Sequence, residues 1–481
     1  VESLAQMGTL PRLAPKNFYD IVVEVALIRP GPIQGGSVHP YIERAKGREK
    51  VTYLHDLLRP SLERTKGVPL FQEQLMQMAV DAAGFTPAEA DQLRRAMGSK
   101  RSLERMEALH QRLLDGMARN GIARDVGEQI YDKLKAFADF GFPESHAYSF
   151  AYLVYASAWL KVYHPAAFYA GVLAAQPMGF YSPQSLVADA RRHGIGVLRP
   201  DVQASGVQAL VERVGPTPPG GEPLLRPRPS GTGDVPAPGM PGHDERSLAI
   251  RLGLAPVRAI GEETATRLVD ERTAHGPFAN LHDLVRRVDL TTAQLESLAT
   301  AGALSPLGVS RREGLWAAGA LAAEGPDTLP GVSVGVTAPT LPGLEVVEEA
   351  TADVWATGVS VDSYPTQFVR GGLDEAGVLR VADTYRDPVP GGRVAVAGVV
   401  THRQRPGTAQ GVTFLSLEDE TGLLNVICSA GLWQRFRRTA RTSKALVVRG
   451  RLERNDDATN LVAEHLAPLS LRVRTSSRDF R

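Results

Sequence analysis

The chain has 481 residues, 43% hydrophobic and 22% charged, which excludes a disordered or fibrous polypeptide and exceeds one ordinary core, so two to four domains are expected. A formal net charge of +1 excludes no class of partner, because basic side chains can gather on one face of a near-neutral protein. The single cysteine, Cys428, excludes an internal disulfide framework and a cysteine-rich zinc site, and fits a reducing, cytoplasmic setting.

The first two hundred residues read as mostly helical. Thr86-Pro87-Ala88-Glu89 is a capping box with proline at the first helical position, followed by Ala90, Leu93 and Met97 at helical spacing up to Gly98. Ser102 caps a second helix with a Met106, Leu109, Leu113, Met117 stripe ending near Gly121. Val126, Ile130, Leu134 and Phe137 mark a third, closed by Gly141. The uncharged run from Ala147 to Leu160 is too short to cross a bilayer and reads as a buried helix, broken or restarted at Pro165. With Val1 in place of an initiator methionine and no signal-peptide pattern, the chain reads as a fragment of something longer.

Residues 215–245 are dense in proline and glycine and read as a mobile loop or linker, and Gly325 to Gly343 is a second such stretch. Short helices are expected between them, at 247–323. The tail changes character: Val394–Val400, Val412–Leu417, Leu423–Cys428, Ala445–Leu452 and Asn460–His465 favour β-structure, with a helix at Gly431–Thr439 between the third and fourth runs. Five strands with a helix there match an OB-fold.

Four motifs in order then carry a resemblance: Ile28-Arg29-Pro30-Gly31-Pro32, Phe71-Gln72-Glu73-Gln74, Leu93-Arg94-Arg95-Ala96-Met97-Gly98 and Phe140-Gly141-Phe142-Pro143-Glu144-Ser145-His146. They resemble the fingers motifs of the bacterial C-family DNA polymerases, the polymerase III alpha subunits. Gln176-Pro177-Met178-Gly179-Phe180-Tyr181, Asp189-Ala190-Arg191-Arg192-His193-Gly194 and the ending Ser476 to Arg481 resemble the error-prone branch more than the replicative one. The resemblance implies a multidomain chain, mainly α in its fingers and helix-hairpin-helix modules and ending in a β-barrel OB-fold. Its expected divisions are fingers at 1–206, a loop or linker at 207–246, tandem helix-hairpin-helix modules at 247–323, a linker and connecting segment at 324–389, the OB-fold at 390–475 and a tail at 476–481.

The resemblance also implies two-metal nucleotidyl transfer with Mg²⁺ held by palm carboxylates. No Asp-x-Asp pair occurs here, and no catalytic residue or metal ligand is assigned to this chain. The acidic cluster Glu418-Asp419-Glu420, leading into Thr421-Gly422, reads as a solvated turn. For the incoming deoxynucleoside triphosphate, Arg29, Arg94, Arg95 and Lys100 are candidate phosphate contacts, since Arg binds phosphate bidentately. Ser145 and His146 match the pair the family places against the nucleotide sugar, His146 as a steric bar to a ribose 2′-hydroxyl. Pro143-Glu144 departs from the replicative branch's Asn-Lys and puts a lysine–phosphate contact in doubt.

Val257 to Glu263 resembles a helix-hairpin-helix module, with Ile260 and Gly261 in the hairpin whose backbone N–H groups approach a DNA phosphate, and Ala301-Gly302-Ala303-Leu304 resembles a degenerate second copy. In the OB region Arg435, Arg437 and Arg438 lead a basic run, with Trp433, Phe436 and Phe414 as aromatic platforms for a single strand. Cys428 reads as a buried strand residue. The resemblance further implies primer-template DNA as partner, an inactive Y-family-like polymerase partner, and the sliding clamp indirectly; no membrane is expected. The alternatives are a free-standing, non-catalytic DNA-binding protein and a fragment of the replicative alpha subunit.

Overall fold

The computed structural model describes residues 4–28, 38–96, 102–138, 142–179, 181–214, 248–324, 335–386, 392–406, 411–455, 458–473 and 478–480. Arg29, Met97, Gly98, Lys100, Gly141 and the 215–245 stretch lie outside them. Two compact units divide the chain: Val1–Ala158 with Asn455–Ala458, and Trp159–Arg454 with Thr459–Arg481.

Apart from one short turn of helix at Arg59–Leu62, the described α-helices beginning in the first unit are α1 (Leu4–Leu13), α2 (Phe18–Leu27), α3 (Val38–Ala45), α4 (Gln72–Ala83), α5 (Pro87–Ala96), α6 (Ser102–Arg119), α7 (Arg124–Ala138) and α8 (Glu144–Tyr163). The expected capping box starts α5: the Thr86 N–H donates to Glu89 Oε2 at 2.8 Å and the Glu89 N–H to Thr86 Oγ1 at 3.3 Å. Leu93, Leu113, Met117, Ile130 and Leu134, read from periodicity, meet Leu75, Met78 and Ala82 of α4 in one core. Helix α6 crosses α4 closely enough that a Cβ on Gly116 would lie 2.1 Å from the Ala83 carbonyl oxygen. A second core gathers Val22, Val23, Ala26, Leu27, Tyr41 and Ile42 with Phe71, Phe142, Ala147 and Ala151.

Helix α8 corrects the expectation of a buried helix. Its buried residues are Glu144, Ala147 and Ala151, whereas Tyr148, Phe150, Tyr152, Leu153 and Tyr155 are all exposed. The apolar pattern identified the helix but not its surroundings.

In the second unit, α9 (Pro165–Ala174) and α10 (Pro183–Arg192) pack on a three-stranded mixed sheet. There β3 (Leu248–Arg251) lies between parallel β1 (Gly196–Leu198) and antiparallel β2 (Leu210–Arg213). Four helices, α11 (Gly261–His275), α12 (Leu281–Val288), α13 (Thr292–Thr300) and α14 (Arg311–Leu321), share a core of Leu268, Leu284, Leu298 and Leu321. Residues 346–386 carry α15 (Val346–Thr357), α16 (Arg370–Glu375) and α17 (Val381–Arg386), and Ala356 and Val381 enter the cores on either side.

The five expected tail strands are β4 (Arg393–Gln404), β5 (Thr413–Glu418), β6 (Leu423–Cys428), β7 (Ala445–Asn455) and β8 (Ala458–Pro468), and the expected helix is split into α18 (Ala430–Arg435) and α19 (Arg437–Thr442). Their order, β5-β6-β8-β7-β4 with β4 returning to β5, closes an OB-type barrel, and a short β9 (Arg478–Phe480) runs parallel to the end of β4. Strand β4 serves two neighbours because it is long and irregular between Val400 and His402, where it bends from β7 toward β5. Leu415, Leu417, Leu424, Val426 and Cys428 point inward, and burial pushes the Cys428 thiol up to about 12.

Candidate nucleotide and nucleic-acid interfaces

The start of α8 is built from two of the sequence motifs. The Gln72 N–H donates to the Phe142 carbonyl at 3.0 Å, and the Glu144 N–H donates to Glu73 Oε2 at 2.9 Å. Gln74, buried, accepts from the Leu70 and Phe71 N–H groups at 3.0 and 3.1 Å and donates to Thr65 Oγ1 at 2.7 Å. The Phe-Gln-Glu-Gln motif is therefore scaffolding that fixes the first turn of α8. Glu144 is itself spent: Arg64 Nη2 lies 2.7 Å from one carboxylate oxygen, and the Tyr19 hydroxyl donates to the other at 2.9 Å. The charge that replaces a lysine in the motif is neutralised by Arg64, a residue the sequence reading missed because the two lie 80 positions apart.

Ser145 and His146 follow on the exposed side of that turn. The His146 ring is held edge-on between Phe142, 5.3 Å away, and Phe150, 4.8 Å away. These three line a cleft of about 420 Å³ with Gln6, Val25, Ile28 and Val154, within the range that holds a small organic ligand. Its walls are mostly apolar and aromatic, with Gln6 and His146 the polar side chains among them and no Lys or Arg to meet a phosphate. Arg94 and Arg95 do not line it. Both pair with Asp91 on their own helix, at 2.8 Å each, and Asp91 is held below the usual carboxylate range chiefly by the hydrogen bond from Arg94.

In the hairpin before α11, Ala259 and Gly261 adopt left-handed φ of 61° and 66°, the sharp reversal such a module needs. Ile260 is 4% exposed and faces the helical core, so its side chain is a structural anchor and only its backbone can meet a ligand. Exposed Glu262 and Glu263 occupy the first turn, while the exposed Arg258 guanidinium stacks 4.5 Å over the Trp355 ring of α15. At the second copy Gly302 has φ 74°, but Ala301, Ala303 and Leu304 are buried and the Ala303 carbonyl accepts from the Val202 N–H at 3.1 Å.

Within the barrel, Arg435, Arg437 and Arg438 are exposed on α18 and α19, the helix pair whose Leu432 and Ala440 close the core between the third and fourth strands. Oligonucleotides meet OB-folds mainly on strands two and three, here β5 and β6, and the basic run is carried by the helices that directly follow β6. Trp433 and Phe436 are half-buried against the barrel core and are only partly available as platforms. Phe414, half-buried, lies on β5 opposite Ile427 of β6.

The acidic turn is a correction. Glu418, Asp419 and Glu420 are 0%, 0% and 7% exposed, not solvated. Glu418 accepts from Ser185 at 2.8 Å and from both Arg192 terminal nitrogens at 3.1 Å. Arg370 donates to Glu420 at 2.5 and 3.0 Å and to Asp419 at 3.1 Å, and Thr366 donates to Glu420 at 2.5 Å. Burial raises the Glu418 and Asp419 carboxyls; it acts the same way on Glu420, where hydrogen bonds from Arg370 and Thr366 prevail and hold it low. Turn chemistry is nevertheless present, since Asp419 Oδ1 accepts from the Thr421 and Gly422 N–H groups at 2.7 and 3.0 Å. With these partners the cluster does not fit a metal, and no group of three or more potential ligands occurs among the described residues.

Comparison with known proteins agrees with this layout. The bacterial DNA polymerase III alpha subunit finger domain matches residues 1–121, a helix-hairpin-helix motif 194–314, and an OB-fold nucleic acid binding domain 394–469. Relatives named error-prone DNA polymerase match all of this chain: that of Mycolicibacterium paratuberculosis at 57% identity, that of Mycobacterium tuberculosis (strain ATCC 25618 / H37Rv) at 57%, and that of Nocardia farcinica at 58%. The chain spans 41%, 41% and 40% of their respective lengths. Over the share of those relatives that it spans, the chain is similar to error-prone DNA polymerases, and its first 121 residues match the finger domain of the bacterial polymerase III alpha subunit.

Proposed function

We propose that this chain is the nucleotide- and DNA-contacting portion of an error-prone, DNA-directed DNA polymerase acting in translesion repair synthesis, and that it is inactive alone. The observation that carries the reading is 57% identity along the whole chain to relatives bearing that name, with fingers, hairpin and OB-fold in series. The His146 cleft receives the sugar and base of the incoming deoxynucleotide. Arg94, Arg95, Arg29 and Lys100 serve its phosphates, the first two after leaving Asp91. The hairpin backbone at Ile260 and Gly261 grips a phosphate of the primer-template duplex, and Phe414, Trp433 and the arginines of α18 and α19 attend the template strand. Mg²⁺ is held by polypeptide outside this chain. An inactive Y-family-like polymerase partner with indirect clamp contact, and a cytoplasmic location, complete the reading.

Primer extension tests it. The full-length protein with primer-template, deoxynucleotides and Mg²⁺ is expected to extend the primer, and this chain alone to bind DNA without extending it. DNA binding with no extension by the full-length protein would replace the polymerase by a non-catalytic DNA-binding protein.

A further inference from the structure

We infer that Trp355 of α15 is a positioning residue of the DNA interface: it holds the Arg258 guanidinium beside the Ile260–Gly261 hairpin, where that guanidinium takes a backbone phosphate of the duplex. The inference rests on the reading that this hairpin meets DNA and adds the side chains that complete the contact. Trp355 lies outside the helix-hairpin-helix match at 194–314, so half of the pair comes from a different stretch of chain.

The hairpin needs such a contact because its own charge is wrong for an anion. From Val257 to Glu263 it carries one cation, Arg258, against Glu262 and Glu263, which stand exposed in the first turn of α11. Two carboxylates there oppose the phosphate that the backbone N–H groups attract. Arg258 is exposed, and among the described residues no carboxylate pairs with it. Its guanidinium lies 4.5 Å over the Trp355 ring, which is itself 46% exposed. A guanidinium held over a ring by its flat face keeps the N–H donors along its edge free, and that edge is the one that grips a phosphate bidentately.

The backbone keeps the two residues in register. The Arg258 N–H donates to the Ala356 carbonyl at 2.7 Å, which satisfies an acceptor in the last turn of α15. Ala356 is 2% exposed in the same core as Val257 and Ile260. The backbones at Trp355 and Arg258 therefore cannot separate without opening that core, and the arginine is held in one place where a free one would sample many rotamers.

The test measures duplex DNA binding by the full-length protein, by fluorescence anisotropy over a range of salt concentrations. Arg258→Gln is expected to weaken binding about tenfold and to lower the slope of log affinity against log salt by about 0.9, the value of one phosphate contact on duplex DNA. Trp355→Ala is expected to weaken binding about threefold, Trp355→Phe to lose much less, and Trp355→Ala to add little to Arg258→Gln, since it acts through the same guanidinium. A slope unchanged by Arg258→Gln would overturn the inference, and so would losses from Trp355→Ala and Arg258→Gln that combine independently, or a Trp355→Phe variant no better than Trp355→Ala. Arg258→Gln removes no buried group, so it decides the matter where Trp355→Ala loosens α15, which the Tm reports. Parent protein that binds no duplex would overturn the DNA reading itself, and that parental measurement separates such a failure from a wrongly chosen residue.

Discussion

Glu24 on α2 is 0% exposed, and neither carboxylate oxygen has a hydrogen-bond partner among the described residues. Burial raises its pKa to about 8. The folded chain then holds a proton that the unfolded chain releases near pH 4.5, so stability is greatest below that pH and is lost as pH rises toward 8. At about 1.4 kcal/mol per unit, the loss is on the order of 4 kcal/mol by pH 8.5. Glu24→Gln keeps the shape and removes the titration, so the gap between the parent and variant unfolding free energies is expected to change by that amount between pH 5 and 8.5. Parallel curves would mean that Glu24 stays ionised. His146 offers the functional counterpart. Its ring projects between Phe142 and Phe150 into the cleft; if that cleft holds the nucleotide sugar as proposed, His146→Ala in the full-length protein removes bulk beside the 2′ position. A loss of about tenfold or more in deoxyribose-over-ribose selectivity is expected, the scale a small steric group supplies. Unchanged selectivity in single-nucleotide kinetics would remove His146 from sugar discrimination.

Among elements, the helices of the first unit were legible because caps and 3.6-residue stripes are local. Thr86 and Glu89 sit three apart, and Leu113 and Met117 four, so nothing distant had to be known. The crossing of α4 and α6 was not legible, because Gly116 looks like an ordinary glycine until Ala83 is placed against it. Gly116→Ala should improve helix propensity by about 1 kcal/mol and still destabilise, because overpacking against backbone costs roughly 1–3 kcal/mol or more. Urea unfolding reads the sign directly, and net stabilisation would mean that α6 shifts freely. The α18–α19 pair was legible as a basic helix but not as to what it faces, since Leu432 and Ala440 turn inward and leave Arg435, Arg437 and Arg438 outside. If those arginines meet a single strand, Arg437→Glu with Arg438→Glu weakens binding and lowers the slope of log affinity against log salt by about 1.4, at roughly 0.7 per lost phosphate contact. A slope unchanged by the reversal would confine strand binding to β5 and β6.

At the scale of the second unit, the acidic turn shows what a single sequence conceals. Glu418-Asp419-Glu420 before Thr421-Gly422 has the composition of a surface turn, and its backbone is one. Its side chains are buried because partners more than 30 residues upstream converge on them: Ser185 and Arg192 of α10, Thr366 and Arg370 of the connecting segment, and the Val381 N–H, 2.9 Å from Asp419 Oδ2. Three consecutive carboxylates thus fasten the barrel to two separate stretches of chain, and the barrel cannot swing independently of α10 while the pairs hold. Removing one partner leaves a buried charge uncompensated, at a cost of about 3–5 kcal/mol, whereas replacing both partners by apolar groups of similar volume costs much less. Arg192→Met alone is therefore expected to destabilise strongly, and Arg192→Met combined with Glu418→Leu to recover most of the loss, as read by chemical unfolding. Limited proteolysis gives the structural readout: Arg192→Met should release the barrel, 392–473, as a fragment more readily than the parent, and the double variant should not. Additive losses with no recovery would assign the stability to packing around α10 instead of to the ion pair.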